Sequence, residues 1–509
     1  MLQLCDSCEK MNTPIHDFVT RYRDLRPARF HMPGHKGRGP LGYEELDITE
    51  IPGADSLYEA AGIIAQSEAN ASALFGCPTF YSTEGSSHCI RAMLLLAMQI
   101  QSVGGGVPDA PNVSDPGSCG ASRTPPPTRN AGRFRVLAAR NVHRAFLSAA
   151  ALLDLEVCWL PASAGSYLSA DVTPEALDRA LTETDASSVY LTCPDYLGNL
   201  PDLKPLAEIC HAHGALLLVD NAHGAYLRFL KPSRHPMDLG ADLCCDSAHK
   251  TLPVLTGGAY LHVKDGLVAA SSARHGQPGA HCAPLQCGIR DALALFGSTS
   301  PSYLILQSLD LANPFLERLP ALLETRIPRL EALKRKLTAA GCRLYGQEPL
   351  KLTLDLRETG RRGTDLAAAL EQEGVYCEFA DPDFVVFMLT PHTTDEELER
   401  LRRALVGAAI GRRQEAAGIR FDVGTSLACP PTSDTHPCGM PETVCSLRQA
   451  MLSPCERIPA EQSLGRILAR PGVSCPPAVP ILMPGERIDE GDLAAFRYYG
   501  IETCDVLME

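Results

Sequence analysis

The sequence has no uninterrupted apolar run near the ~18 residues that a membrane-spanning helix needs. Its best stretch, Cys89 to Ile100, is broken by Arg91 and Gln99. The N-terminus lacks a basic head followed by an apolar core and carries Cys5, Asp6, Cys8, Glu9 and Lys10 instead, so neither secretion nor membrane insertion is expected. Positive charge is short: 46 basic against 60 acidic residues leave a net charge of −14. Sequence-independent nucleic-acid binding needs a basic face, so a nucleic-acid partner is not expected. Gly-rich phosphate loops of the two standard nucleotide-binding types are missing, as are internal repeats and heptad arrays. Cysteine is plentiful at 20 residues, yet only Cys5 and Cys8 stand at CxxC spacing and no second pair completes a metal finger. Reduced, buried thiols in a cytoplasmic protein are therefore expected, with Cys244 and Cys245 inside a strand and no metal site.

What is present reads as a globular chain. Apolar residues make up 45% and charged residues 21% of 509 positions, enough for roughly two to four domains. One segment stands apart: Gln101 to Arg133 is rich in Gly, Pro and Ser. It cannot bury enough surface to offset its ordering entropy, which predicts a mobile surface insertion within a domain. Beyond it, strand-like runs at Phe134–Ala139, Leu155–Leu160, Ser188–Thr192, Ala215–Asp220, Leu243–Asp246 and Gly258–Val263 alternate with helical stretches such as Thr173–Leu181 and Leu203–His213. Apolar strands separated by helices of that length predict a mostly parallel sheet covered on both faces. A Leu/Arg-rich helix from about Pro320 to Ala340, interrupted by Pro328, reads as a connector to a smaller α+β unit. That unit has strands Leu350–Leu356 and Val385–Leu389 and helices Thr364–Glu373 and Thr394–Leu405. The expected organisation is an N-terminal arm over 1–60, a large domain over 61–320, a small domain over 321–415 and a C-terminal domain over 416–509.

The chemistry concentrates in Asp220-Asn221-Ala222-His223 and, further on, Ser247-Ala248-His249-Lys250-Thr251. Asp220 closes one apolar strand and Lys250 follows another, so both are expected at the C-terminal edge of the sheet, where open α/β sheets bind ligands. A lysine and a carboxylate converging there suit pyridoxal phosphate (PLP): the amine forms a Schiff base and the carboxylate keeps the pyridine nitrogen protonated. Either residue alone would read as readily as a helix cap or a solvated loop lysine. Together, with His223 and His249 beside them, they favour the cofactor.

Several ordered motifs now make the chain resemble the ornithine/lysine/arginine decarboxylase family, PLP enzymes of the aspartate-aminotransferase fold (fold type I), in the short form without an N-terminal wing domain. Phe30-His31-Met32-Pro33-Gly34-His35-Lys36-Gly37 is similar to that family's FHxPGHKxG signature, and Asp47 through Leu57 to its D-x-TE-x-x-x-x-D-x-L segment. Arg140-Asn141-Val142-His143-Arg144 resembles RNxHKS, Ser247–Lys250 resembles SxHK, and Thr299–Tyr303 resembles TSPSY. Pro476 through Glu486 resembles PPGxPxxxPGE.

The resemblance implies a large domain with a mostly parallel sheet, followed by smaller α+β C-terminal domains. It implies that Lys250 carries PLP, that Asp220, with Ala222 and His223 alongside, pairs with its ring nitrogen, and that His143 stacks on the ring. Ser86, Ser87, Ser247 and His249 would hold the phosphate, joined by Thr299 and Ser300 from a second subunit, which implies a homodimer or a dimer-based assembly. Glu486 would pair with the distal cation of the substrate, with His35 and Lys36 also at the substrate. The implied reaction is α-decarboxylation of lysine, arginine or ornithine to a polyamine or diamine precursor and CO2, with Lys250 or His249 returning a proton to Cα. Departures from the family pattern are Glu84 before Gly85-Ser86, His88 where a small or hydroxyl residue is common, and the run Thr256-Gly257-Gly258-Ala259. Transamination or elimination on the same fold would share Lys250 and Asp220, and a non-catalytic homologue would not need them. A nucleotide-binding α/β protein would need a phosphate loop that is missing.

Overall fold

The computed structural model describes residues 11–102, 133–160, 166–265, 267, 284–415, 441–472 and 478–508. The insertion expected at 101–133 lies almost entirely outside these residues, as do Cys5, Cys8, Pro476 and Pro477. The chain divides into two compact units, 1–108 with 218–323 and 109–217 with 324–509.

Among the described residues the α/β part has seven strands: β1 (Thr79–Ser82), β2 (Arg135–Ala138), β3 (Glu156–Trp159), β4 (Ser188–Thr192), β5 (Leu216–Asp220), β6 (Leu243–Asp246) and β7 (Ala259–Val263). Within the first unit the order is β1-β7-β6-β5. β5 and β6 run parallel, and β7 runs antiparallel to both β6 and β1. Within the second unit β2 lies between β3 and β4, all parallel. Every residue of β5, β6 and β7 is buried, as continuous apolar runs require when both faces of a sheet are covered. The mostly parallel α/β sheet expected from the sequence is the one observed.

The helices begin where the caps predict. Thr173 accepts a hydrogen bond from the Ala176 amide at 3.2 Å and precedes Pro174 at the start of Pro174–Thr184. The Asp202 side chain caps Leu203–Ala212, each cap satisfying amides that have no partner inside the helix. The second unit also carries a four-stranded antiparallel sheet, β10-β11-β9-β8, from β8 (Leu344–Tyr345), β9 (Lys351–Asp355), β10 (Phe379–Ala380) and β11 (Phe384–Met388). A two-stranded ribbon of β12 (Cys455–Pro459) and β13 (Thr503–Leu507) covers a core of Leu468, Leu482, Ile488, Phe496 and Val506.

One expectation is corrected. The helix interrupted at Pro328 is instead part of a single helix, Tyr303–Ala339, that passes through Pro314, Pro320 and Pro328. Each proline removes one backbone donor from the helix. The buried residues Leu306, Leu309, Leu316, Leu319, Leu323, Leu330, Leu333 and Leu337 offset that cost along its length. Among the described residues no helix is long and apolar enough to cross a membrane, and the cysteines whose side chains are described are free thiols.

Candidate active site

β5 and β6 are parallel neighbours with Asp220 opposite Cys245, so their last residues reach the same sheet edge. Asp220 is buried, and its Oδ1 accepts from the Ala222 amide at 3.2 Å and the Cys245 thiol at 3.7 Å. After β6, the turn Ala248–Thr251 presents Lys250, whose Nζ lies 2.9 Å from Nε2 of the buried His223. Ser247 donates through its hydroxyl to Ser86 Oγ at 2.8 Å. Ser86 opens the helix Ser86–Ser102, where backbone amides favour an anion. His249 is fixed by its backbone amide and its Nδ1, 3.2 Å and 2.9 Å from the Gly258 carbonyl. A primary amine, a buried carboxylate and a pair of hydroxyls at a helix start, all on one sheet edge, form a donor set that fits PLP.

The departures from the family pattern have physical accounts. Glu84 turns toward the next motif: its Oε1 accepts from the Ser298 amide at 2.6 Å. Its charge therefore anchors the Ser298–Tyr303 segment, on which Thr299 and Ser300 are exposed. Tyr303 completes the anchor by donating to the carbonyl of Asp55 at 2.7 Å, which ties that motif to the D-x-TE-x-x-x-x-D-x-L segment. His88 is buried and bridges Ser82 Oγ at 2.8 Å to the Leu293 carbonyl at 2.7 Å. Burial lowers its pKa, and with both ring nitrogens engaged His88 acts as a structural tie. Gly257 has φ +101°, and a Cβ there would stand 2.7 Å from the Thr83 carbonyl oxygen; only glycine fits this close approach. In the N-terminal segment, His35 Nε2 lies 3.2 Å from Asp47 Oδ2 and Lys36 donates to the His31 carbonyl.

In the second unit, His143 caps the helix Arg144–Leu153 by accepting from the Ala145 amide at Nδ1, 3.1 Å away. This places the ring proton of neutral His143 on Nε2. Glu486 is 1% exposed, and its two carboxylate oxygens accept from Arg140 Nη1 at 2.7 Å and Nη2 at 2.8 Å. The Met483 amide adds a third bond at 2.8 Å, and Arg140 also lies over the Trp159 ring at 5.7 Å. The carboxylate expected to face the substrate's distal cation is thus already paired with a cation of the chain itself. Because Arg144 N also donates to the Ala478 carbonyl at 2.8 Å, the Ala478–Glu486 loop holds the His143 loop at both ends. Arg140 was visible only as a motif residue; no local pattern in the sequence pairs it with Glu486.

Residues 130–345 match the family described as Orn/Lys/Arg decarboxylase, major domain, and residues 440–503 match Orn/Lys/Arg decarboxylase, C-terminal domain. Together the matches take in just over half of the chain. An arginine decarboxylase of Halalkalibacterium halodurans is 27% identical over 95% of this chain and 93% of its own length. An arginine decarboxylase of Bacillus subtilis is 26% identical over 95% of this chain and 92% of its own length. The structure of lysine decarboxylase A from Pseudomonas aeruginosa superposes with a TM-score of 0.71 at 17% identity, covering 95% of this chain and 75% of that one. At that identity the likeness speaks for the fold. With the family matches and the lysine–carboxylate edge in the same chain, the protein belongs to the Orn/Lys/Arg decarboxylase family and is a PLP-dependent amino acid decarboxylase.

Proposed function

We propose that the protein catalyses α-decarboxylation of a basic amino acid, arginine foremost, releasing CO2 and the corresponding amine. The observation that carries the reading is the placement of Lys250 Nζ against His223, after the strand that lies beside the one ending in Asp220. The choice of arginine is supported by full-length relatives named arginine decarboxylase. When bound, PLP supplies an electron sink for the pair left by the departing CO2. Lys250 would hold the cofactor covalently, and Asp220 would keep its ring nitrogen protonated. His143 would lie on the ring face, its Nδ1 held by the helix cap. Ser86, Ser87, Ser247 and His249 would bind the phosphate, with Thr299 and Ser300 supplied by a second copy of the chain in a homodimer. His249 Nδ1 points at the Gly258 carbonyl, so its Nε2 is the atom that can hold a proton for return to Cα, and Lys250 Nζ is the other. The test is CO2 release by the PLP-loaded protein from arginine, lysine and ornithine in parallel. Turnover of arginine above the other two is expected; bound PLP with no CO2 from any of the three would overturn the reading.

A further inference from the structure

Beneath the site, on the strands that carry it, lies a fully buried charge cluster. Asp246 ends β6, one residue before Ser247, and has no solvent exposure. Its Oδ2 is 3.1 Å from His235 Nε2 and 3.1 Å from His262 Nε2. Its Oδ1 accepts from Asn221 Nδ2 at 2.6 Å and from the Cys244 thiol at 3.8 Å. Two histidines, a thiol and a carboxylate could be a metal site, and His235, Cys244 and Asp246 are close enough for one.

The outer hydrogen bonds decide against a metal. The Thr79 hydroxyl donates to the Cys77 carbonyl at 2.9 Å, so at 2.9 Å from His262 Nδ1 it can only accept. His262 therefore carries protons on both nitrogens. His235 Nδ1 accepts from the Met237 amide at 3.4 Å, which leaves its proton on Nε2, facing Asp246. Both rings present N–H groups to the carboxylate where a metal would need lone pairs. Burial pushes the Asp246 carboxyl up, but His235 and His262 outweigh it and hold the group well below the usual carboxylate range. Burial lowers and Asp246 raises His262, with a net rise. The cluster is an imidazolium–carboxylate pair to which His235 adds a second ring N–H donor.

The output of this pair is Asn221, which directly follows Asp220. Asn221 is fully buried, and its backbone amide donates to the Cys245 carbonyl at 2.9 Å. Its side-chain amide is oriented by Asp246, and the turn beyond closes on it: a Cβ at Gly224 would lie 1.8 Å from Asn221 Oδ1. We propose that Asp246 is a positioning residue for the cofactor's carboxylate partner: paired with His262 and His235, it fixes Asn221 and so the strand end that presents Asp220. This rests on the reading of Asp220 as the partner of the PLP ring nitrogen.

The test is PLP affinity and absorbance, measured by titrating apo-protein with PLP, for wild type, Asp246→Asn, His262→Gln, Asp220→Asn and Asp310→Asn. Asp310 is an equally buried carboxylate of the same unit, bonded to Ser67 and to the Ile15 and His16 amides, and serves as the control. Asp246→Asn is expected to weaken PLP about tenfold, the loss of one hydrogen bond to a charged group, and to shift the band of the bound cofactor. Asp310→Asn should lower the melting temperature without either change. Should Asp246→Asn fail to fold, His262→Gln must show the same weakening and shift, because it removes the imidazolium while keeping a donor. Wild-type affinity and spectrum in the folded Asp246 variant, or in His262→Gln if that variant does not fold, would overturn the proposal. So would one equivalent of zinc in the purified wild type. If Asp220→Asn itself leaves the spectrum unchanged, the reading of Asp220 fails, and a normal Asp246→Asn beside an altered Asp220→Asn condemns the positioning role alone.

Discussion

Asp220 stood out because it closes an apolar run with a residue that such a run does not otherwise hold, and Lys250 because it follows shortly after the end of the neighbouring strand; parallel strands carry those ends to one edge. Borohydride reduction of the PLP-loaded protein followed by peptide mapping is expected to label Lys250, and Lys250→Ala to lose the cofactor's visible band. Label on a different lysine would refute the assignment. Partners far apart in sequence were not legible. Glu84 meets Ser298 across 214 positions and Glu486 meets Arg140 across 346, and no periodicity reaches that far. The second pair changes what Glu486 is expected to do. Removing one member of a buried ion pair strands the other, at a cost of about 3 kcal/mol. Glu486→Gln should thus lower the melting temperature and depress kcat/KM to a similar degree on arginine, lysine and ornithine, through the loosened His143 loop. An unchanged melting temperature with a loss confined to one substrate would instead make Glu486 the partner of that substrate's cation.

Elements with a strong period and a cap were read within a residue or two. The helix Leu203–Ala212 and strands β4 and β6 stand where apolar pattern and capping chemistry put them. Elements without such signals escaped. β1 is Thr-Phe-Tyr-Ser, buried at all four positions, and its two hydroxyl residues hide it from an apolar count. β10 has two residues, too short for any period. The long helix was read only over its second half and as interrupted, for another reason: its prolines are local stop signals, and only its leucine stripe, packed in the folded chain, overrides them. His143 caps Arg144–Leu153, and the same ring is the one proposed for the cofactor face. His143→Ala should lose the cap, about 1 kcal/mol of stability, together with the ring. His143→Asn should keep the cap and lose only the ring. Activity should fall in both and the melting temperature only in the alanine variant. Equal melting temperatures would show that the cap contributes nothing, and full activity in His143→Asn would remove the ring from the mechanism.

At the scale of the whole molecule, motifs from Phe30 to Glu486 follow one another in a single order, which made the family legible although the compact units are discontinuous in sequence. Burial of charge was not legible, since an aspartate in a turn reads the same whether wet or dry. Asp381 stands between β10 and β11 and is buried; its Oδ1 accepts from the amides of Asp383 and Phe384 at 2.8 Å and 2.7 Å. Among the described residues its Oδ2 has no hydrogen-bond partner. Burial raises its carboxyl to about 7, outweighing the two amides, and the nearby Asp383 adds to the rise. Because the folded-state value lies above the ordinary carboxylate value, the neutral form favours the folded state. That stability is fully present below about pH 4 and is lost as pH rises through about 7. An asparagine keeps the oxygen that receives both amides and cannot ionise. Asp381→Asn should therefore gain stability over wild type as pH rises, by about 1–3 kcal/mol between pH 5 and pH 8.5, seen as a melting-temperature difference that grows across that window. A difference that stays constant with pH would mean that Asp381 does not titrate there and that its unpartnered oxygen is satisfied in solution.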